Sequence, residues 1–249
     1  MDHGHKSRTE GVHKTILVSF MDQHLIKAVI FDIDGTLVDS FESYYMVFNE
    51  GIADSNAIPV SREVLRDYLA KGLSLREILQ NVFLSPIDNA TYATYRGKIL
   101  HLFKQTEIEG VRLFSGTDEL FRKLKVKGIK IGIATGRTSS PEDEWLRFNR
   151  LGLDGFISAI VTSQEVEHRK PAPDAIIECA KRMGIPIESC IVIGDTESDI
   201  IAAKRAGAIA VGVITGHADK EALLKAEPKI VLRDISGLIV CMESSFGDA

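Results

Sequence analysis

Six short apolar runs, rich in Val and Ile, recur from residue 28 onward: AVIFDI (28–33), KIGIAT (130–135), GFISAIVT (155–162), CIVIGD (190–195), AIAVGVI (208–214) and KIVLRD (229–234). Runs that stay apolar, rather than alternating with polar residues, belong to strands covered on both faces, as in a parallel sheet. Helical patterns lie between them: TDELFRKLKVKG, DEWLRFNRLG, DAIIECAKRMG and ESDIIAAKRAG. Each stops at a glycine (Gly128, Gly152, Gly184, Gly207), the residue that most easily takes the left-handed turn closing a helix. Alternation of strand and helix with short connections predicts an α/β fold built on a doubly wound parallel sheet.

One interval breaks this rhythm. Between Asp39 and about Val111 no strand-like run appears, and the patterns FESYYMVFNEGIADS, SREVLRDYLAKG, SLREILQNVF and NATYATYRGKILHLFKQTEIEG are helical. Ser61 reads as a helix start, and Ser74 with Glu77 three residues on reads as a capping box. The expectation is a small all-α domain over residues 41–111, inserted into an α/β core formed by 25–40 and 112–249. Residues 1–24 read as a polar, disordered leader. In it His3, His5 and His13 have no packing context, and Met21 sits as a plausible start just ahead of the first strand.

Composition narrows the function classes. The formal net charge is -5, so no basic field exists for nucleic acid or anionic lipid. The apolar runs are strand-sized, far short of a membrane span. The 3 cysteines, Cys179, Cys190 and Cys241, form no CxxC pair. They read as packing residues of a protein in a reducing cytoplasm. Composition carries no oligomer signal, leaving monomer or homodimer open.

The strand ends carry the chemistry. The first run ends in Asp32 and Asp34, followed by Gly35 and Thr36. Two carboxylates at the mouth of a buried strand are costly unless compensated. They are therefore a misfit, a turn cap, or a cation site. In an extended segment they project to one side while Ile33 faces the other, and Gly35 permits a sharp turn that aims backbone N–H groups at an anion. The second run ends in Thr135-Gly136-Arg137, Lys170 follows the third in HRKPAPD, and the fourth delivers Asp195 and Asp199. Asp195 and Asp199 also fit a helix N-terminal region. Open α/β sheets bind ligands at the carboxyl ends of their strands. Carboxylates clustered there without His or Cys make a hard-oxygen site suited to Mg²⁺ and a substrate phosphate.

The set DIDGT, TG, RKPAPD and GDTESD resembles the four motifs of the haloacid dehalogenase (HAD) superfamily, and the helical insertion resembles that family's cap. The resemblance runs from about Lys27 to the end. It implies Asp32 as the nucleophile that forms an aspartyl phosphate and Asp34 as the acid and then base. It implies Thr135 and the Gly136 N–H as phosphate-oxygen ligands, and Lys170 as charge balance. It also implies Mg²⁺ held by Asp32, the Asp34 carbonyl and Asp195, with Asp199 orienting that shell or ligating directly.

Asp34 sets the chain apart from the dehalogenase and phosphonatase branches, which lack an acid there. The β-phosphoglucomutase-like branch carries a hinge histidine where this chain has Tyr44, and a cap-loop arginine where it has Leu75. The pattern resembles phosphoglycolate-phosphatase-type hydrolases most, with phosphomutase or pyrophosphatase as alternatives. The implied partner is a small phosphate ester. Arg137 is a candidate for substrate binding, with a salt bridge as the alternative. The cap selects the substrate in such enzymes, and AKGLSLRE, with Lys71 and Arg76 around Gly72, is the candidate specificity loop.

Overall fold

The computed structural model describes residues 26–108, 112–216, 218 and 220–244. The leader expected over 1–24, with its histidines and Met21, lies outside the described residues. The strands are β1 (Ala28–Phe31), β2 (Val38–Asp39), β3 (Arg112–Leu113), β4 (Lys130–Ala134), β5 (Ile157–Val161), β6 (Cys190–Gly194), β7 (Ile209–Val213) and β8 (Ile230–Leu232). Six of them form one sheet in the order β5-β4-β1-β6-β7-β8, with every pairing parallel. The chain steps outward from β1 to β4 and β5, then crosses back to β6 on the other side. The order therefore reverses at β1, where this class of sheet opens its binding crevice.

The helices are α1 (Phe41–Ile52), α2 (Arg62–Ala70), α3 (Leu75–Val82), α4 (Asn89–Ile108), α5 (Thr117–Val126), α6 (Pro141–Arg150), α7 (Asp174–Met183), α8 (Glu197–Ala206), α9 (Lys220–Lys225) and α10 (Ser236–Ser244). Strand side chains alternate between two apolar layers. Val29, Phe31, Ile131, Ile133, Ile191 and Ile193 pack with Phe121 of α5, Phe148 of α6 and Met242 of α10. Ala28, Ile30, Val161 and Val192 pack on the other face with Ile176 and Cys179 of α7 and Ala203 of α8. This two-sided cover is why the runs stay apolar throughout. All three cysteines are buried and free, and burial pushes the Cys179 thiol up to about 12 and that of Cys190 to about 11. Gly132 sits where α7 approaches closely, since a Cβ there would lie 2.5 Å from Cys179 Sγ. Gly128, Gly152, Gly184 and Gly207 all have positive φ at the helix ends.

α1–α4 form the inserted helical cap, with an apolar cluster of its own that includes Phe48, Leu65, Ile78, Leu79 and Ile99. Ser61 Oγ accepts from Val64 N–H, and Ser74 with Glu77 completes a reciprocal capping box. No helix among the described residues is long and apolar enough to cross a membrane.

Three features depart from the sequence reading. α6 starts at Pro141 rather than Asp143, because Ser140 Oγ accepts from Asp143 N–H at 3.1 Å and proline suits the first helical turn. β1 stops at Phe31, because Ile33 O receives the N–H groups of Leu37 (2.9 Å) and Val38 (3.0 Å) and closes a turn instead. The chain also leaves and re-enters the core through an antiparallel pair, β2 with β3, too short for any periodic signal.

Candidate active site

Phe31, Ile133 and Ile193 sit side by side in register, so the three central strands release their next residues at one level. Asp32 N–H donates to Ile193 O at 2.9 Å and Thr135 N–H to Val161 O at 3.0 Å, which ties both strand ends to their neighbours. Gly35 turns the chain at φ 77, and a Cβ there or at Gly216 would overlap the Asp195 carboxylate. Glycine at both places is what lets Asp195 lie flush against the turn. Asp195 is fully buried and accepts from Thr36 Oγ1 at 3.1 Å.

Lys170 arrives from the segment between β5 and α7 and joins the carboxylates. Its Nζ donates to Asp32 Oδ1 (2.8 Å), Asp199 Oδ1 (2.7 Å) and Ala134 O (2.6 Å). The second Asp199 oxygen accepts from the N–H (3.1 Å) and hydroxyl (2.5 Å) of Thr196, completing the capping box that starts α8. Helix capping and site building thus fall on the same aspartate. Carboxylate oxygens of Asp32, Asp195 and Asp199 all lie within 4.8 Å of one another. Three carboxylates without nitrogen or sulfur donors fit a hard divalent cation such as Mg²⁺.

The electrostatics follow from this crowding. Burial, together with the charges of Asp199, Asp195 and Asp34, pushes the Asp32 carboxyl well above its usual value, against the pull of Lys170. Burial opposes the Lys170 charge, but Asp199 and Asp32 more than reverse that and hold the ammonium firmly protonated.

Asp34 has a different environment. Arg137 grips it with both prongs, Nε to Oδ2 and Nη2 to Oδ1, each at 2.6 Å, and Ser40 Oγ donates at 2.5 Å. Burial alone would raise the Asp34 carboxyl, but the charge and hydrogen bonds of Arg137, with Ser40, hold it far below the ordinary carboxylate range. Arg137 Nη1 also stands 3.8 Å from Glu144, a fully buried carboxylate of α6 that accepts from Arg147 Nε at 2.9 Å and from Ser139 Oγ. The guanidinium lies 5.7 Å from the Phe103 ring of α4, at the seam between core and cap.

The structure therefore brings Asp32, Asp34, Thr135, Gly136, Arg137, Lys170, Asp195 and Asp199 to one end of the sheet. The cap cations are engaged elsewhere. Lys71 pairs with Asp67 at 2.7 Å with both side chains exposed, and Arg76 donates to Asn89 at 2.7 Å and stacks 4.2 Å over Tyr92. Their loop does reach the core through its glycine, since a Cβ on Gly72 would lie 2.9 Å from Ser198 of α8. Ser198 Oγ is buried with no hydrogen-bond partner among the described residues. Sequence reasoning missed Ser40, Glu144 and Arg147. The proline-led acidic start of α6, SSPEDEW, was the available signal for Glu144.

The haloacid dehalogenase-like hydrolase family pattern matches residues 29–213. The chain belongs to that family. A phosphoglycolate phosphatase of Shigella boydii serotype 4 (strain Sb227) is 27% identical over 233 residues, covering 86% of this chain and 91% of the relative. A hydrolase from Pseudomonas syringae superposes with a TM-score of 0.72 at 27% identity, over 87% of this chain and 98% of that one. A β-phosphoglucomutase from Clostridium difficile superposes with a TM-score of 0.72 over 88% and 98%. Its 21% identity carries the fold alone. As a member of this family, the protein is a hydrolase with a six-stranded parallel sheet and an inserted helical cap.

Proposed function

We propose that the protein is a Mg²⁺-dependent phosphatase that hydrolyses a small phosphorylated metabolite of the phosphoglycolate type through an aspartyl phosphate. The observation that carries the reading is the Lys170 bridge between Asp32 and Asp199, set within a cluster of three buried carboxylates. A lysine at that point neutralises the nucleophile and would meet the incoming phosphoryl group as well. The similarity to phosphoglycolate phosphatases supports the substrate class.

In this mechanism an Asp32 oxygen attacks phosphorus, the bond to the leaving oxygen breaks, and the phosphoryl group rests on Asp32. Thr135 and the Gly136 N–H hold its oxygens, and Lys170 balances its charge. Asp32, Asp195 and Asp199 would hold Mg²⁺, which neutralises charge developing on the phosphoryl oxygens. Asp34 takes the proton of the water that attacks the aspartyl phosphate, returning Asp32 and releasing inorganic phosphate. Arg137 keeps Asp34 in the carboxylate form this role starts from, and the fork opens before that carboxylate takes up a proton. Protonating the leaving alkoxide requires Asp34 outside the fork and carrying the proton it took from water in the preceding turnover, which it gives to the leaving oxygen as the P–O bond breaks. The phosphomutase alternative gains no support at the hinge, where Tyr44 packs against Phe48 and Phe103.

The test is phosphate release over phosphoglycolate, sugar phosphates, nucleoside monophosphates and pyrophosphate, with Mg²⁺ and with chelator, beside Asp32→Asn. Metal-dependent turnover that Asp32→Asn abolishes is the expected result. Turnover that survives Asp32→Asn refutes the mechanism.

A further inference from the structure

The cations near the site differ in how much of their bonding capacity is spent. Lys170 makes its three donations to Asp32, Asp199 and Ala134, Arg137 is committed to Asp34, and Lys71 and Arg76 have partners on the cap. Arg169 is exposed and directly precedes Lys170. Its guanidinium donates from Nη2 to Gly136 O at 2.7 Å.

That contact fixes where the guanidinium is. It lies over Gly136, 3.8 Å from the place a Cβ would occupy, beside the backbone read as a phosphate ligand. The turn in which Ala172 N–H donates to Arg169 O at 2.8 Å anchors the backbone end of the side chain. Its positive charge is felt at Tyr44 and at Glu77 on the cap, so it stands at the seam between core and cap. A guanidinium offers five donors in a planar fork that matches a carboxylate, and one hydrogen bond to Gly136 leaves most of that fork available.

We propose that Arg169 selects the far end of the substrate, its guanidinium binding a carboxylate carried a short distance from the phosphate. The inference rests on the phosphatase reading and deepens it, assigning phosphomonoesters with a nearby carboxylate as the substrate class. The short reach follows from the Gly136 contact, because the guanidinium bonds the carbonyl of the same residue whose N–H is read as the phosphate ligand. Arg169 binds substrate and takes no part in bond making.

The experiment compares 2-phosphoglycolate with 2-hydroxyethyl phosphate, which replaces the carboxylate by a hydroxymethyl group, for the wild-type protein and Arg169→Gln, Arg169→Lys and Arg76→Ala. The wild type is expected to prefer phosphoglycolate. Arg169→Gln should lower kcat/KM on phosphoglycolate by about 10- to 100-fold, chiefly through KM, the size of one lost charge-assisted contact. It should leave 2-hydroxyethyl phosphate and the melting temperature unchanged. Arg169→Lys should keep part of the preference, and Arg76→Ala all of it. Equal losses on both esters, a preference that survives Arg169→Gln, or a preference that vanishes in Arg76→Ala overturns the assignment while leaving a phosphatase. A wild-type protein that releases no phosphate from any ester with Mg²⁺ overturns the functional reading and this inference with it.

Discussion

Replacing Arg137 by methionine removes a planar cation from the most tightly held ion pair in the site and keeps most of the aliphatic volume. The Arg137 side chain is 11% exposed and that of Asp34 27%, joined by two hydrogen bonds of 2.6 Å. Removing one member of a buried pair typically costs about 3–5 kcal/mol, because the other charge stays behind uncompensated. Partial exposure of Asp34 lets water screen some of that cost, while Glu144, fully buried 3.8 Å from the guanidinium, loses a cation too. The estimate is therefore about 3 kcal/mol, or roughly 6–12 °C in melting temperature for a chain of this size. Urea and thermal unfolding in chelator would measure it. Asp34→Asn made alone and with Arg137→Met closes a double-mutant cycle, for which a coupling of about 2 kcal/mol is expected. A loss below about 1 kcal/mol, or coupling below about 0.5 kcal/mol, would refute the claim that this fork is a buried, dehydrated interaction.

The remaining predictions concern pH, leaving group, closure and packing. The Asp32 carboxyl is raised in the fold, so its contribution to stability is full below about pH 4 and is lost as pH rises through the folded value. Mg²⁺ favours the carboxylate, so the gain in melting temperature on adding Mg²⁺ should grow from pH 4.5 to 7.5, and a gain independent of pH would count against Asp32 as a ligand. Asp34 is depressed and works in the opposite sense: its contribution is present above about pH 4 and is lost as pH falls toward the folded value. Because Arg137 holds Asp34 ionised, aryl phosphates, whose leaving groups need no proton, should turn over at least about tenfold faster than alkyl phosphates. Equal rates would show that Asp34 leaves the fork freely. Gly72→Ala combines a φ of 70 with a Cβ 2.9 Å from Ser198, and should lower kcat/KM about tenfold by propping the cap loop away from α8. Ser198→Gly should recover part of that loss, and no recovery would place the defect in backbone strain. Gly132→Ala, whose Cβ meets Cys179 and Met183, should cost about 1–3 kcal/mol in unfolding free energy.

Local patterning alone determined the sheet and most of the residues at its mouth. A strand covered on both faces is apolar along its buried length, so its end is visible where a polar side chain follows the run, and Asp32, Thr135 and Asp195 all stand one residue past such an end. Capping is equally local, so Ser61, Ser74 and the glycine stops could be read from a few neighbouring residues. The ribbon of β2 and β3 could not, because two residues per strand carry no period and their pairing joins Asp39 to Arg112 across the whole cap. Partner choice was decided only in three dimensions. Arg137 and Arg169 both flank the phosphate-binding motifs in sequence, yet one is locked on Asp34 and the other stays exposed with its guanidinium on Gly136 O. Lys71 and Arg76, the cations that looked best placed for substrate, make their polar contacts within the cap, with Asp67 and Asn89. A carboxylate's partner depends on which distant strand end and helix face it, and the register of a six-stranded sheet sets that, not the spacing of residues along the chain.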